Sequence, residues 1–270
     1  MARQNFQKKI LVEAKSPPLR QDFVPNPHME KDTSIKKWFG TDLAKLLSSK
    51  IEPLYPSFDT AGYIGVISKQ SKSLEYTGRL ALHADTLRQY LPPKYTDAVK
   101  ILMQILGPEN PEETGMFKNF YWIMPVGKFV ETYGLDHFSV SIKAIEEITK
   151  RNTGEYAIRP FAKKYPEKTL TVCKKWAESK NFHLRRLASE GLRPKLPWAQ
   201  KLDVWKDNPA PIFDILELLK EDNVKFVKKS VANHLRDWIK VNPVEAQKIV
   251  RRWSKSKNEH TQWILKHAQR

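Results

Sequence analysis

Apolar residues recur at intervals of three or four along most of the chain, which is the spacing of one face of an α-helix. The stretch 35–49 illustrates the pattern, with Trp38 and Phe39 followed by Leu43 and Leu46. The same spacing predicts further helices over 63–68, 73–89, 95–106 and 138–150, and within the aromatic-rich stretch 117–130. No stretch shows the strict alternation of apolar and polar residues that indicates a β-strand. We therefore predict an all-α protein.

The second half of the chain repeats its own pattern. Pro166, Trp176 and Asn181 are matched by Pro243, Trp253 and Asn258, each 77 positions later. A third related segment, 226–235, lies between the two copies, so the separation corresponds to two units of about 40 residues, the period of HEAT and armadillo repeats. Such a unit cannot bury its apolar face alone, and neighbouring units therefore stack into a solenoid. The repeats are clearest over 151–270.

The segment before the first predicted helix has a different character. Residues 1–34 contain four prolines, at positions 17, 18, 25 and 27, among Lys, Arg and Gln. This composition predicts an irregular, basic and Pro-rich arm. We therefore divide the sequence into this arm and a single HEAT-like repeat domain over 35–270.

The charge balance indicates the class of partner. The 270 residues include 47 Lys and Arg against 30 Asp and Glu, a net charge of +17, which favours a polyanion and most simply nucleic acid. The one cysteine, Cys173, excludes a disulfide framework and fits a reducing compartment; we predict that it is a buried core thiol. Neither a membrane span nor a secretory signal is apparent, so a cytoplasmic location without membrane association is expected.

Other chemistries find little support in the sequence. The seven histidines show no metal-ligand spacing with each other or with Cys173, so we expect no metal. The chain has ten glycines but no Gly-rich phosphate loop and no nucleophile elbow, so we also expect no nucleotide or other cofactor.

Several long motifs carry a family resemblance. The segments 155–161 (EYAIRPF), 185–198 (RRLASEGLRPKLPW) and 230–237 (SVANHLRD) resemble the AlkC branch of the AlkC/AlkD DNA glycosylases, and shorter matches lie at 101–108, 122–125 and 133–136. The resemblance covers roughly 35–270. It implies a C-shaped helical solenoid whose basic concave face holds duplex DNA.

 We expect a monomer without an obligatory protein partner, because solenoids of this size are often monomeric. We also expect it to lie in the bacterial cytoplasm and to associate with the nucleoid through DNA.

The resemblance further implies an activity in base excision repair. AlkC-type enzymes remove cationic alkylated bases, notably 3-methylcytosine, 1-methyladenine and 3-methyladenine, from duplex DNA without flipping the base into a pocket. Some members carry an additional immunoglobulin-like domain after the helices. This sequence ends at Arg270, directly after the last predicted repeat helix, and we expect that domain to be absent.

The expected reaction needs carboxylates on an otherwise basic surface. Breaking the N-glycosidic bond builds oxocarbenium character on the deoxyribose, which a nearby carboxylate stabilises while it orients or deprotonates the attacking water. By the family motif, Glu155 is assigned to positioning the sugar or water and Asp237 to stabilising the oxocarbenium. From the residues alone, Glu155 could instead be an acidic residue in the first turn of a repeat helix, and Asp237 a salt-bridge partner.

The DNA contacts are assigned to one aromatic and eight basic residues. Trp198 lies in a loop stiffened by Pro194 and Pro197 and would project into the DNA cleft, although it could instead pack between repeats, as we expect of Trp176 and Trp253. The predicted contacts to the DNA backbone are Arg151, Arg159, Arg185, Arg186, Arg193, Lys195, Lys228 and Lys229. The neighbours Arg185 and Arg186 cannot point the same way on a helix, and Glu190 is expected to pair with a nearby arginine.

Two other functions fit the same repeats and charge. One is a non-catalytic HEAT-repeat protein that binds distorted or branched DNA, and the other is a scaffold for an acidic protein. Glu155, Trp198 and Asp237 favour the glycosylase, because a basic surface alone suits all three.

Overall fold

The computed structural model describes residues 35–115 and 117–270, and in these ranges it contains helices, turns and loops but no β-strand. The all-α prediction is therefore confirmed. Ile35–Arg270 forms one compact unit. The predicted N-terminal arm, 1–34, lies outside the described residues.

Fourteen α-helices make up most of the described chain. The first seven are α1 (Thr41–Ile51), α2 (Thr60–Gln70), α3 (Tyr76–Tyr90), α4 (Tyr95–Gln104), α5 (Phe117–Phe120), α6 (Met124–Tyr133) and α7 (Phe138–Thr149). The others are α8 (Ile158–Lys164), α9 (Pro166–Ala177), α10 (Phe182–Glu190), α11 (Ala210–Leu219), α12 (Lys225–Val241), α13 (Pro243–Ser254) and α14 (Glu259–Ala268). Short 3-10 helices cover Ile35–Phe39, Ser71–Ser73 and Tyr121–Ile123. None of the helices described is both long and apolar enough to cross a bilayer.

Among the helix starts that differ from the sequence prediction, two have a clear local cause. The helix predicted over 35–49 is divided at Gly40, which has extended backbone angles and caps α1. A glycine inside a helix costs about 1 kcal/mol relative to alanine, so the break falls there. Glu155, predicted to open a repeat helix, instead lies in a turn before α8. Pro160 lacks a backbone N–H and is tolerated in the first turn of a helix, which fits a start at Ile158.

The second half of the chain is built from two layers of helices. In the first layer, which we call the front layer, α10 packs against α12 and α12 packs against α14. The helices α9, α11 and α13 form the back layer, and each contacts the front-layer helix that follows it in the chain. This stack of helix pairs is the repeat architecture that the sequence predicts.

Equivalent residues of the repeats make equivalent contacts. Trp176 and Trp253 are both buried, and their indole Nε1 groups donate hydrogen bonds to Glu146 at 2.6 Å and Glu217 at 2.7 Å, respectively. The prediction that both indoles belong to the core is confirmed. Cys173 is also buried, as predicted, and burial raises the pKa of its thiol.

The helix caps repeat in the same way. The side chain of Asn181 accepts hydrogen bonds from the backbone N–H groups of His183 and Leu184 at the start of α10. Asn258 does the same for His260 and Thr261 at the start of α14. The 77-residue match in the sequence therefore records two copies of one local structure.

Candidate active site

Five charged side chains connect the two predicted carboxylates, and we call them the ion-pair network: Glu155, Arg186, Glu190, Arg193 and Asp237. Glu155 forms an ion pair with Arg186, whose Nη2 lies 3.5 Å from Oε1 of Glu190. Arg193 Nη1 lies 2.7 Å from the same Glu190 oxygen, and Arg193 Nε donates to Asp237 Oδ2 at 2.9 Å. Glu155 and Asp237 thus lie at opposite ends of one network, which carries three carboxylates and two guanidinium groups.

Elements far apart in the sequence bring this network together. Glu155 lies in the turn before α8, Arg186 and Glu190 lie one turn apart on α10, Arg193 directly follows α10, and Asp237 lies on α12. The packing of α10 against α12 therefore brings Asp237 to the guanidinium of Arg193. Both carboxylate residues are mostly buried and keep about 8% of their surface exposed.

The turn that carries Glu155 is held on both sides. Thr153 Oγ1 donates a hydrogen bond to Glu155 Oε2 at 3.0 Å, and Arg186 Nη1 donates to the same hydroxyl at 3.2 Å. Gly154 lets the backbone approach α7, since a Cβ there would lie 2.5 Å from Thr149 Oγ1 and 2.7 Å from Ile145 Cγ2. The position of Glu155 is therefore fixed by its neighbours in the chain as well as by its ion pair.

Glu190 is the centre of the network. Its second carboxylate oxygen accepts a hydrogen bond from Ser230 Oγ at 2.6 Å, which links α10 to α12. Burial raises the pKa of this carboxyl, but Arg186 and Arg193 outweigh burial and hold the pKa below its ordinary value. The predicted pairing of Glu190 with a neighbouring arginine is confirmed, and this ionised carboxylate holds both guanidinium groups in place.

Trp198 has an unusual backbone and an exposed side chain. Its φ is +67°, in the left-handed region that non-glycine residues rarely adopt, and it is the one non-glycine residue with positive φ among those described. The residue is 74% exposed, which is not the environment of an indole packed between repeats. Its ring meets Tyr76 edge to face, with 5.8 Å between the centroids.

A cavity of about 430 Å³ opens beside this indole. Its walls include Tyr76, Tyr156, Pro160, Trp198 and Met124, together with parts of Arg159 and Lys163. Burial, and then the charge of Glu155, raises the pKa of Tyr76 to about 12, so its hydroxyl is neutral at physiological pH. Burial and Glu155 also raise the pKa of Tyr156. Neither tyrosine is among the site residues predicted from the sequence, although Tyr156 follows Glu155 directly.

The eight predicted backbone-contacting residues occupy different environments. Lys195 and Lys229 are exposed, and Lys228 is partly buried, with its ammonium 5.5 Å from the centre of the Trp263 ring. Arg151 pairs with Glu147 and donates to the carbonyl of Gly107, while Arg185 pairs with Asp222. Arg186 and Arg193 belong to the ion-pair network, so Arg185 and Arg186 do point in different directions, as expected.

The environment of Arg159 differs most from the one expected for its predicted role. It is only 4% exposed, and its guanidinium donates hydrogen bonds to three backbone carbonyls inside the protein. Burial, and then the charge of Arg193, lowers its pKa to about 10, which still leaves it protonated at neutral pH. A guanidinium in this position serves the protein's own loop rather than a surface contact.

No group of three or more His, Cys, Asp or Glu side chains suited to a metal occurs within 35–115 and 117–270.

Comparison with known proteins identifies the family. The model of the DNA alkylation repair enzyme family matches residues 137–270, which contain the whole ion-pair network. The uncharacterised protein YhaZ of Bacillus subtilis is 35% identical over 237 residues, which are 87% of this chain and 64% of that protein. The second half of the chain, residues 137–270, belongs to the DNA alkylation repair enzyme family.

The fold is similar to that of a solved DNA glycosylase structure. The alkylpurine DNA glycosylase AlkC of Pseudomonas fluorescens, bound to DNA containing an abasic site analogue, matches with a TM-score of 0.78 and 31% sequence identity. The match covers 88% of this chain and 64% of the AlkC chain. The chain therefore spans about 64% of the length of both of these relatives.

Proposed function

We propose that this protein is a DNA glycosylase that excises cationic N-alkylated bases from duplex DNA, with 3-methylcytosine, 1-methyladenine and 3-methyladenine as the substrate class. The observation that carries the proposal is the pair of network carboxylates, Glu155 and Asp237, together with the exposed indole of Trp198. The net charge of +17 suits a polyanionic substrate. Membership of the DNA alkylation repair family supports the same class of reaction.

The proposed chemistry follows from the charge of the substrate. An N-alkylated base of this class is cationic and leaves as a neutral base when the bond to C1′ breaks, so the positive charge moves to the deoxyribose. Asp237 stabilises this oxocarbenium character. Glu155 orients a water molecule, whose oxygen bonds to C1′ and whose proton passes to the carboxylate or to solvent. The products are the free base and an abasic site.

The network arginines give both carboxylates fixed positions. Because Arg193 bonds to Asp237 and Arg186 to Glu155, neither carboxylate has to reorganise when the sugar becomes cationic. In this proposal Trp198 contacts the damaged nucleotide or its sugar-phosphate, and Lys195 and Lys229 contact DNA phosphates. The target base stays in the duplex throughout.

The test is release of free base from duplex DNA with a single lesion. Wild type is compared with Glu155→Gln and Asp237→Asn on duplexes carrying each of the three proposed lesions, and DNA affinity is measured for every variant. We expect release by the wild type and a large loss in either variant while affinity is retained. Tight binding of duplex DNA without release from any lesion would instead favour the non-catalytic DNA-binding protein. If duplex DNA does not compete with an acidic protein for binding, the scaffold for an acidic protein would be favoured.

A further inference from the structure

We propose that Arg159 is a positioning residue that fixes the conformation of the loop carrying Trp198. The inference rests on the proposed function for its effect on catalysis, but its effect on the loop does not depend on that function. This role inside the protein replaces the contact with the DNA backbone that the sequence predicted for Arg159.

The hydrogen bonds of Arg159 define this role. Its Nη1 donates to the carbonyl of Gly191 at 3.1 Å and to that of Arg193 at 2.7 Å, and its Nη2 donates to the carbonyl of Gln200 at 2.6 Å. Gly191 directly follows α10, whereas Gln200 lies two residues after Trp198. One side chain therefore binds both ends of the loop 191–200.

The ion pairs of Arg193 also anchor the start of the loop, but the other contacts around Trp198 are weaker or more exposed. The N–H of Leu202 donates to the carbonyl of Pro194 at 3.2 Å, and Lys163 Nζ donates to Gln200 Oε1 at 3.1 Å on the surface. A residue held at positive φ persists only where the surrounding structure fixes it. The buried Arg159 fork is the best-placed group to hold Trp198 at a φ of +67°.

Only a guanidinium suits these acceptors. Its donors form a rigid planar fork, whereas the ammonium of lysine is a single point at the end of a flexible stem. All three acceptors of Arg159 are backbone carbonyls of the loop. The loop and its indole thus share this one support.

The first test is a double-mutant cycle on base release under single-turnover conditions. Arg159→Met and Arg159→Lys are each measured alone and combined with Trp198→Ala. Small displacements of site residues commonly lower the rate of the chemical step by on the order of tenfold to a hundredfold. We expect a loss of this size in base release from both Arg159 variants in the wild-type background. In the Trp198→Ala background the additional loss should largely disappear. Equal losses in both backgrounds would overturn the role through Trp198.

The second test does not require activity. A lysine-specific endoproteinase can cut at two exposed residues, Lys195 within the loop and Lys201 directly after it, and cleavage at Lys257, in the α13–α14 loop, gives an internal reference. We expect Arg159→Met to speed cleavage at Lys195 and Lys201 relative to the reference. The control is Arg88→Met, because Arg88 also donates to two loop carbonyls, those of Pro92 and Pro93. Unchanged cleavage in Arg159→Met would refute the proposal, whether or not the wild type releases bases.

Discussion

At Trp198, the energetic cost of the backbone conformation can be considered separately from the role of the side chain. Left-handed φ values cost a residue with a Cβ about 1–2 kcal/mol, and glycine avoids that cost. Trp198 keeps this conformation while its indole is exposed. We therefore infer that the indole serves a contact outside the protein and not the stability of the fold.

We expect Trp198→Gly to be more stable than Trp198→Ala by about 1 kcal/mol, because glycine adopts this φ without the steric cost that a Cβ brings. Both variants should lose base release, since both remove the indole. Urea unfolding of the two variants measures the difference in stability. Equal stability would show that the loop gives up the left-handed conformation once the indole is gone.

Glu190 should contribute to stability in a pH-dependent way. Its folded pKa lies below the ordinary value of 4.5, so its stabilisation is fully present above that pH and is lost as the pH falls through the lowered folded pKa. Glu190→Gln leaves Arg186 and Arg193 without their shared partner, and we expect it to reduce the free energy of unfolding at pH 7 by about 3 kcal/mol. Urea unfolding from pH 7 to pH 3 should show this difference shrinking below pH 4.5. A difference that stays constant across this range would contradict the account.

The sequence motifs predicted site residues at both ends of the ion-pair network but did not point to the tyrosines of the cavity. Glu155, Asp237 and Trp198 were assigned from the family motifs, but Tyr76 lies on α3, far from those motifs in the sequence. Arg159 was assigned to the surface because a sequence gives the charge of a side chain and not its direction. Its burial depends on carbonyls of the loop 191–200, which the sequence does not place.

At the scale of helices, apolar spacing was a reliable guide to which segments are helical. The predicted helices over 95–106 and 138–150 correspond to α4 and α7 within a few residues. The starts were harder to predict where glycine or proline acts within a helical pattern, as at Gly40 and Pro160. The 77-residue match was more informative, because it also predicted equivalent caps and equivalent buried indoles.

The two asparagine caps should have similar energetic effects. Asn181→Ala and Asn258→Ala each remove a side-chain acceptor for two backbone N–H groups, and each should lower the free energy of unfolding by about 1 kcal/mol. Chemical denaturation of both variants tests this. A negligible effect at one site would show that the two repeats do not share the same capping energetics.

At the scale of the whole molecule, the excess of positive charge should appear in the salt dependence of DNA binding. Lys195 and Lys229 are the exposed residues among the eight predicted backbone contacts. If each neutralises one phosphate, Lys195→Ala and Lys229→Ala should each reduce the slope of log affinity against log salt concentration by about 1. Fluorescence anisotropy at several salt concentrations measures this slope. Lys175→Ala, on the back-layer helix α9, is the matched control and should leave the slope unchanged.

The central claim is that Glu155 and Asp237 act on the deoxyribose of a damaged nucleotide. The most direct measurement is the single-turnover rate of base release from duplex DNA containing one 3-methylcytosine, with saturating wild type, Asp237→Asn or Glu155→Gln. Glu217→Gln provides the control, because Glu217 is an ion-paired carboxylate on the back-layer helix α11. We predict that the two site variants lose on the order of 100-fold or more in rate while DNA affinity and the control rate are kept. Wild-type rates in both site variants, with the protein folded and bound to DNA, would contradict the account.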